Sequence, residues 1–341
     1  MAAGLLLSGC SSLPFPPPDS SDLTIAVGSC LQQGKPQPIW KAIRLQEPDV
    51  FVFMGDNIYG DTENMSVMRQ KYAELSAVRN YRQLRKRSRI LAVWDDHDYG
   101  VNDGGAEYPK KEASKREFLR FFQIPESSPR WRRPGNYDAV IIGEPGRRVQ
   151  FILMDTRSFR SPLEARPREE WFEKGVYWPN TDRKATILGV DQWTWLKKVL
   201  REPAELRVLV SSIQAIPEEH PWEKWSNFPH EHARLMQVLQ NVETGMVVIA
   251  SGDRHIAEIS GIDISEKGEP TRWIYELTSS SMNQRVVGNS NEKNRHRVAG
   301  GNYLENNFGT VKVWWADEKP RVVLQVRDVR GRVVREQTVK N

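Results

Sequence analysis

The run Val50-Phe51-Val52-Phe53-Met54 constrains this chain more than any other stretch, because five apolar residues without polar alternation stop abruptly at Gly55-Asp56-Asn57-Ile58-Tyr59. An uninterrupted apolar run closed by glycine is the pattern of a strand covered on both faces, as the central strands of α/β sheets are. The polar residues then fall at the C-terminal end of the strand, the edge at which open α/β sheets hold their ligands. Asp56 and Tyr59 can offer a carboxylate and a phenolate to one ion, oxygen donors suited to a hard, highly charged metal. Taken alone, the same residues also suit a turn that merely ends a strand.

The construction recurs, which argues against turn chemistry alone. Residues 23–27 run into Gly28-Ser29-Cys30, residues 90–94 into Asp95-Asp96-His97-Asp98 and on to Asn102-Asp103, and Met246–Ser251 into Gly252-Asp253-Arg254-His255. Four apolar runs that each release metal-ligand residue types directly after the last apolar position predict a site assembled from strand ends. Cys30 reads in two ways, as a ligand aligned with the other motifs or as a small buried residue ending a strand.

Between these runs the spacing predicts helices over residues 36–46, 65–76, 78–88, 110–122 and 190–200, so the first strands form a βαβ unit and are parallel. Residues 137–142 and 149–154 read as a hairpin opening a second sheet, 206–212 as a further strand, and 308–315, 321–328 and 332–339 as a C-terminal antiparallel meander. Segment 161–182 reads as loop. The Pro- and Trp-rich stretch 220–232, with His220, His230 and His232, reads as an irregular rim rather than a metal site, since none of these histidines follows a strand. The architecture expected is α/β: two stacked sheets with helices outside, in one domain over residues 22–341.

Composition narrows the function. Of 341 residues, 39% are hydrophobic and 27% charged, and no apolar run approaches the roughly 18 residues of a membrane span. The net charge of +5 is compatible with anionic substrates, and no stable nucleic-acid partner is expected. The basic run Arg79, Arg82, Arg85, Lys86, Arg87 and Arg89 fits the solvated face of a helix, with nucleic-acid contact as its alternative. At the start, Leu7-Ser8-Gly9-Cys10 resembles the lipobox of bacterial lipoproteins, followed by a Pro-rich tether to residue 21. That reading implies a lipidated Cys10, a membrane partner and the bacterial cell envelope, facing the periplasm or on the outer membrane.

The donors collected at strand ends are Cys30, Asp56, Tyr59, Asp96, Asn102, Asp253 and His255, with His97 beside them. A thiolate, a phenolate, several carboxylates and few histidines make a poor zinc site and a good one for Fe(III) with a harder partner such as Ca(II). Such ions activate water, and a carboxylate placed like Asp56 can bridge two of them, as in-line displacement at phosphorus requires. Asp155-Thr156-Arg157 ends a further strand. Arg157 there can bind a phosphate or pair with Asp155.

These runs, the 94–103 stretch with Gly28-Ser29-Cys30, Gly55 to Tyr59 and Ser251 to His255, resemble the alkaline phosphatase D (PhoD-like) family of secreted metallophosphatases. More distantly, the spacing of Asp56 and Tyr59 is similar to that of the purple acid phosphatases. The resemblance implies a metallophosphoesterase-like four-layer αββα sandwich, hydrolysis of phosphate monoesters and diesters by a metal-bound hydroxide, and Fe(III) and Ca(II) as cofactors. It implies iron on Cys30, Asp56 and Tyr59, and a second ion on Asp56, Asn102 and Asp253. Asp96 and His255 complete the shell, with His97 near the leaving group and His97, Asp96 and Arg157 as the catalytic set. Two other functions compete: a lipid-anchored binding protein with a structural calcium site, and a nuclease-like phosphodiesterase using the 79–89 face.

Overall fold

The computed structural model describes residues 21–266, 271–285, 292–316 and 319–340. The lipobox with Cys10 and the Pro-rich tether lie outside the described residues, apart from Ser21.

Two six-stranded mixed sheets face each other. The first has strands β1 (Leu23–Gly28), β2 (Val50–Met54) and β3 (Arg89–Val93), and the second begins with the antiparallel pair β4 (Asp138–Ile142) and β5 (Val149–Leu153). Then come β6 (Leu206–Ser211), β7 (Met246–Ser251), β8 (Ala257–Asp263) and β9 (Trp273–Ser279). The meander β10 (Asn307–Ala316), β11 (Lys319–Asp328) and β12 (Val333–Thr338) returns to the first sheet. The sheet orders are β12-β11-β10-β1-β2-β3 and β4-β5-β6-β7-β9-β8. β1, β2 and β3 are parallel, as are β5, β6, β7 and β9. Because β10 pairs antiparallel with β1, the last strands of the chain complete the sheet that its first strand begins.

The uninterrupted apolar runs follow from this layering. Along β2, Val50, Val52 and Met54 enter the core between the sheets. Phe51 and Phe53 point the other way, into a second core under the helices, as the two-residue period of a strand requires. That outer layer holds α1 (Ile39–Leu45), α2 (Met65–Ala77), α3 (Arg79–Arg85) and α5 (Lys111–Phe121). Between β3 and α5 comes the one-turn helix α4 (Asp96–Tyr99). The second sheet is covered by α7 (Gly189–Val199) and α8 (Pro229–Gln240) over a third apolar cluster, and the short α6 (Trp171–Lys174) lies in the expected loop. The result is the two stacked sheets with helices outside that the strand and helix spacing predicted, in the four-layer αββα form that the family resemblance implied.

Two sequence readings are corrected. The stretch 220–232 is not wholly irregular, because α8 starts at Pro229 and carries His230 and His232. Proline is accepted at the first helical position, and Glu231, Leu235 and Leu239 are its buried stripe. His220 is not a rim residue either, being 4% exposed. Within the 94–103 stretch lies α4, entered at Asp95, whose N–H donates to Asp98 Oδ1 at 2.7 Å.

Candidate metal centre

The first parallel strands of each sheet end on the same side, and their loops bring donors together. Ligand atoms of Cys30, Asp56 and His255 lie within 4.8 Å of one another, as do those of Asp56, Asp96 and His97, and those of Asp95, Asp96 and Asp253. Asp56 and Asp96 are shared between groups, so the three form one continuous cluster. It draws on the ends of β1, β2 and β3 from one sheet and β7 from the other. The backbone at four of these residues is left-handed, with φ of +59° at Cys30, +50° at Asp56, +69° at Asp253 and +54° at His255. Non-glycine residues pay for that conformation, by order of 1–3 kcal/mol each, and it concentrates where geometry serves function.

Each donor is fixed by neighbours. Cys30 Sγ lies 3.4 Å from Asp56 Oδ2 and 3.1 Å from Ser280 Oγ, and Ser280 Oγ also accepts from the His255 N–H at 2.9 Å. Tyr59 Oη sits 2.9 Å from His255 Nε2. Asp96 accepts from the backbone N–H of His97 at 2.9 Å and of Asp103 at 2.7 Å. His97 Nδ1 lies 2.7 Å from Asp61 Oδ1, and its ring packs on Tyr59 with centroids 4.0 Å apart. With Nδ1 engaged, Nε2 is the nitrogen free to serve a reacting group.

Electrostatics point to a missing counter-charge. Burial raises Cys30 to about 12, and burial followed by the negative charge of neighbouring Cys30 and Asp96 raises Asp56 well above the carboxylate range. Asp253 is raised for the same reasons, by burial and then Asp95 and Asp96. Asp95 is pushed to about 7 by burial despite Arg157. Asp96 is the exception: burial is outweighed by Arg157, His97 and its backbone donor, which hold it at about 2. Burial lowers His97, but Asp56, Asp96 and Asp61 outweigh it and lift it to about 11. His255 falls to about 4 through burial and the charge of His97 and Arg254.

These features fit bound cations. Three buried carboxylates, a half-buried Asp253 and a buried thiol face few positive side chains, an arrangement that costs far too much unless ions compensate it. Asp95 Oδ2 is buried with no hydrogen-bond partner, while its Oδ1 accepts from Ser212 Oγ at 2.6 Å and Arg157 Nε at 2.5 Å. One oxygen is held and the other is left without a partner, in a carboxylate that lies beside those of Asp96 and Asp253. His255, kept neutral, has the protonation state a metal ligand needs.

Two expected residues stand elsewhere. Arg157 is fully buried, bound to Asp95 and, through Nη1 at 2.6 Å, to Glu223, so both of its bonding edges face protein carboxylates rather than a substrate. Asn102 is exposed, and its Nδ2 donates to Asp103 at 2.8 Å. Conversely, Asp95, Asp61, Ser280 and Glu223 belong to the site or its support and were not expected. For Asp95 the signal was present, since it opens the same acidic run as Asp96, but sequence does not tell which acid of such a run turns inward. The basic 79–89 face lies away from the cluster: Lys86 and Arg87 lead into the amino end of β3, whereas the donors leave the carboxyl ends.

Comparison with known proteins agrees with this geometry. A family model described as PhoD-like phosphatase matches residues 23–334. No curated protein matches the chain significantly. Among solved structures, one titled "Structure of PhoD" superposes with a TM-score of 0.68 at 16% identity, covering 96% of this chain and 73% of that one. At that identity the likeness shows the fold. The crystal structure of TT1561 of Thermus thermophilus aligns at 11% identity with a TM-score of 0.42, covering 90% of this chain and 99% of that one, too low a score to carry an argument.

Proposed function

The chain belongs to the PhoD-like phosphatase family, and from that premise we propose that it is a metal-dependent phosphatase and phosphodiesterase. The observation that carries the metal dependence is the bare, buried Asp95 Oδ2 within a cluster of four carboxylates. Cys30, Asp56, Tyr59 and His255 would hold the softer and more highly charged ion, for which we propose Fe(III). Asp95, Asp96 and Asp253 would hold a hard oxygen-loving partner, for which we propose Ca(II). Bound ions would supply Lewis acidity, activating water and drawing charge from the phosphoryl oxygens.

The rest of the chemistry falls to the chain's own side chains. His97, whose Nδ1 is held 2.7 Å from Asp61 Oδ1, would carry a proton at Nε2 for the leaving alcohol. Asp61 and the Tyr59 ring fix its orientation, and a positioned acid of this kind contributes typically 10²–10⁴-fold. Arg157 acts through Asp95, by fixing which oxygen that carboxylate presents.

The test is Asp56→Asn, assayed on p-nitrophenyl phosphate and bis-p-nitrophenyl phosphate beside elemental analysis of the purified protein. Activity and metal content are expected to fall together, activity by on the order of a hundred-fold or more. Full activity in the variant would overturn the reading, and a wild-type protein holding zinc alone would overturn the iron and calcium assignment.

A further inference from the structure

Segments 166–180 and 218–227 enclose a cleft of about 290 Å3 lined by Arg166, Tyr177, His220, Lys224 and Ser226, among others. The two segments are joined by backbone: Val176 N–H donates to Pro221 O at 2.8 Å, and Asn180 N–H to Asn227 O at 2.7 Å. Contacts from the walls of the cleft lead to residues that hold the metal centre. Tyr177 Oη donates to the Asp103 carboxylate, and the Asp103 N–H holds Asp96. On the other side, Lys224 follows Glu223, whose carboxylate holds the Arg157 that orients Asp95. Trp222 lies under the guanidinium of Arg254, between Asp253 and His255.

The interior of this cleft carries polar capacity that the protein leaves unused. His220 is 4% exposed, yet neither of its ring nitrogens has a partner. Ser226 Oγ and Arg166 Nε are buried without partners as well. Lys224, 8% exposed, donates to Trp222 O at 3.0 Å, one of the three donors of an ammonium group. Buried polar atoms without partners are costly, so several around one small cleft mark a place built for a polar occupant. The unused groups are mainly donors. Of the acids lining the cleft, Glu218 is engaged by Arg295 and His296, Glu219 accepts from the Arg295 N–H, and Glu173 is exposed at the rim.

We propose that this cleft is a substrate subsite for an anionic, acceptor-rich group, a second phosphate or a carboxylate, carried on the alcohol side of the phosphate ester. The proposal rests on the phosphoesterase reading and deepens it. Lys224, Arg166 and the hydroxyl of Ser226 bind the distal anion while the scissile phosphate lies at the metal centre, so the gain appears in substrate binding rather than in the chemical step.

The experiment compares kcat/KM for propyl phosphate with that for the same ester carrying a second, terminal phosphate. Wild type is expected to favour the doubly phosphorylated ester, mainly through KM, by about ten-fold or more, the scale of one charge-assisted contact. Lys224→Met and, separately, Ser226→Ala should shrink that ratio, and Lys224→Arg should restore most of it. A purely structural role for Lys224 would lower both esters alike. A wild type that hydrolyses both esters with no preference, or a ratio unmoved in the variants, would overturn the subsite alone. Failure of wild type on both esters and on p-nitrophenyl phosphate would overturn the phosphoesterase reading, and the subsite with it.

Discussion

Glu223 contacts no candidate ligand, yet it is 2% exposed and its two oxygens hold Arg157 at 2.6 Å and Arg160 at 2.9 Å. Arg157 in turn fixes Asp95. Partners one step behind the ligands set ligand orientation, and their loss typically costs 10–100-fold in metal affinity. Glu223→Gln should therefore weaken binding of the second ion by about that factor, as read by calcium titration of the purified protein; unchanged affinity would leave Glu223 a packing residue only. Glu276 stands outside this chain of contacts, bonded instead by the Ala215 and Ile216 N–H groups. Burial raises its carboxyl from 4.5 to about 7 even though these N–H groups donate to it. Its folded value lies above its unfolded one, so the native state binds the extra proton, and this stabilisation is complete below the unfolded value and is lost as pH rises through the folded one. Urea unfolding at about pH 5 and about pH 8 should show wild type losing more stability across that interval than Glu276→Gln does. Equal losses would show that another group governs the change.

At the scale of elements, the turn leaving β2 shows how tightly the site is built. Gly55 has φ of +100°, and a Cβ there would stand 2.5 Å from Asp95 Cβ and 3.1 Å from Ser212 Cβ. Glycine is needed both for the backbone angle and for the close approach of the next loop. Gly55→Ala should cost roughly 1–2 kcal/mol for the backbone alone and also displace Asp95. Thermal melts paired with elemental analysis should show lower stability together with reduced metal content; a variant with normal metal content would mean that Asp95 is not a ligand. The strands β2 and β7 have the limits their apolar runs imply, because a covered strand leaves an unbroken pattern. By contrast α8 escaped notice, since Pro229, His230 and His232 resemble loop composition. Its signal was the Leu235 and Leu239 spacing after a proline tolerated at the first turn. The one-turn α4 is too short for any periodicity to show.

The whole molecule stacks two sheets so that the loops of one face those of the other across a crevice rich in negative charge. A fold that gathers buried carboxylates in this way couples its stability to ion binding, because a ligand that binds only the native state stabilises it by RT ln(1 + [L]/Kd), about 2.7 kcal/mol at a hundred times Kd. Stripping metal with a chelator should lower Tm and adding ions back should restore it, while Asp253→Asn should blunt that recovery. A Tm indifferent to metal would remove the support for bound cations.

Order along the chain was enough to establish the strand runs, the alternation of strand and helix, and the residue types waiting at strand ends, because burial and turn chemistry are local and leave local patterns. Cys30, Asp56, Asp253 and His255 were legible for that reason. Folding alone settled that Asp95 stands beside Asp96 and Asp253, that Arg157 is consumed by Asp95 and Glu223, and that Asn102 faces outward. Those outcomes depend on which distant side chains meet in the folded core, and separations of 62 and 66 residues leave no trace in any local pattern.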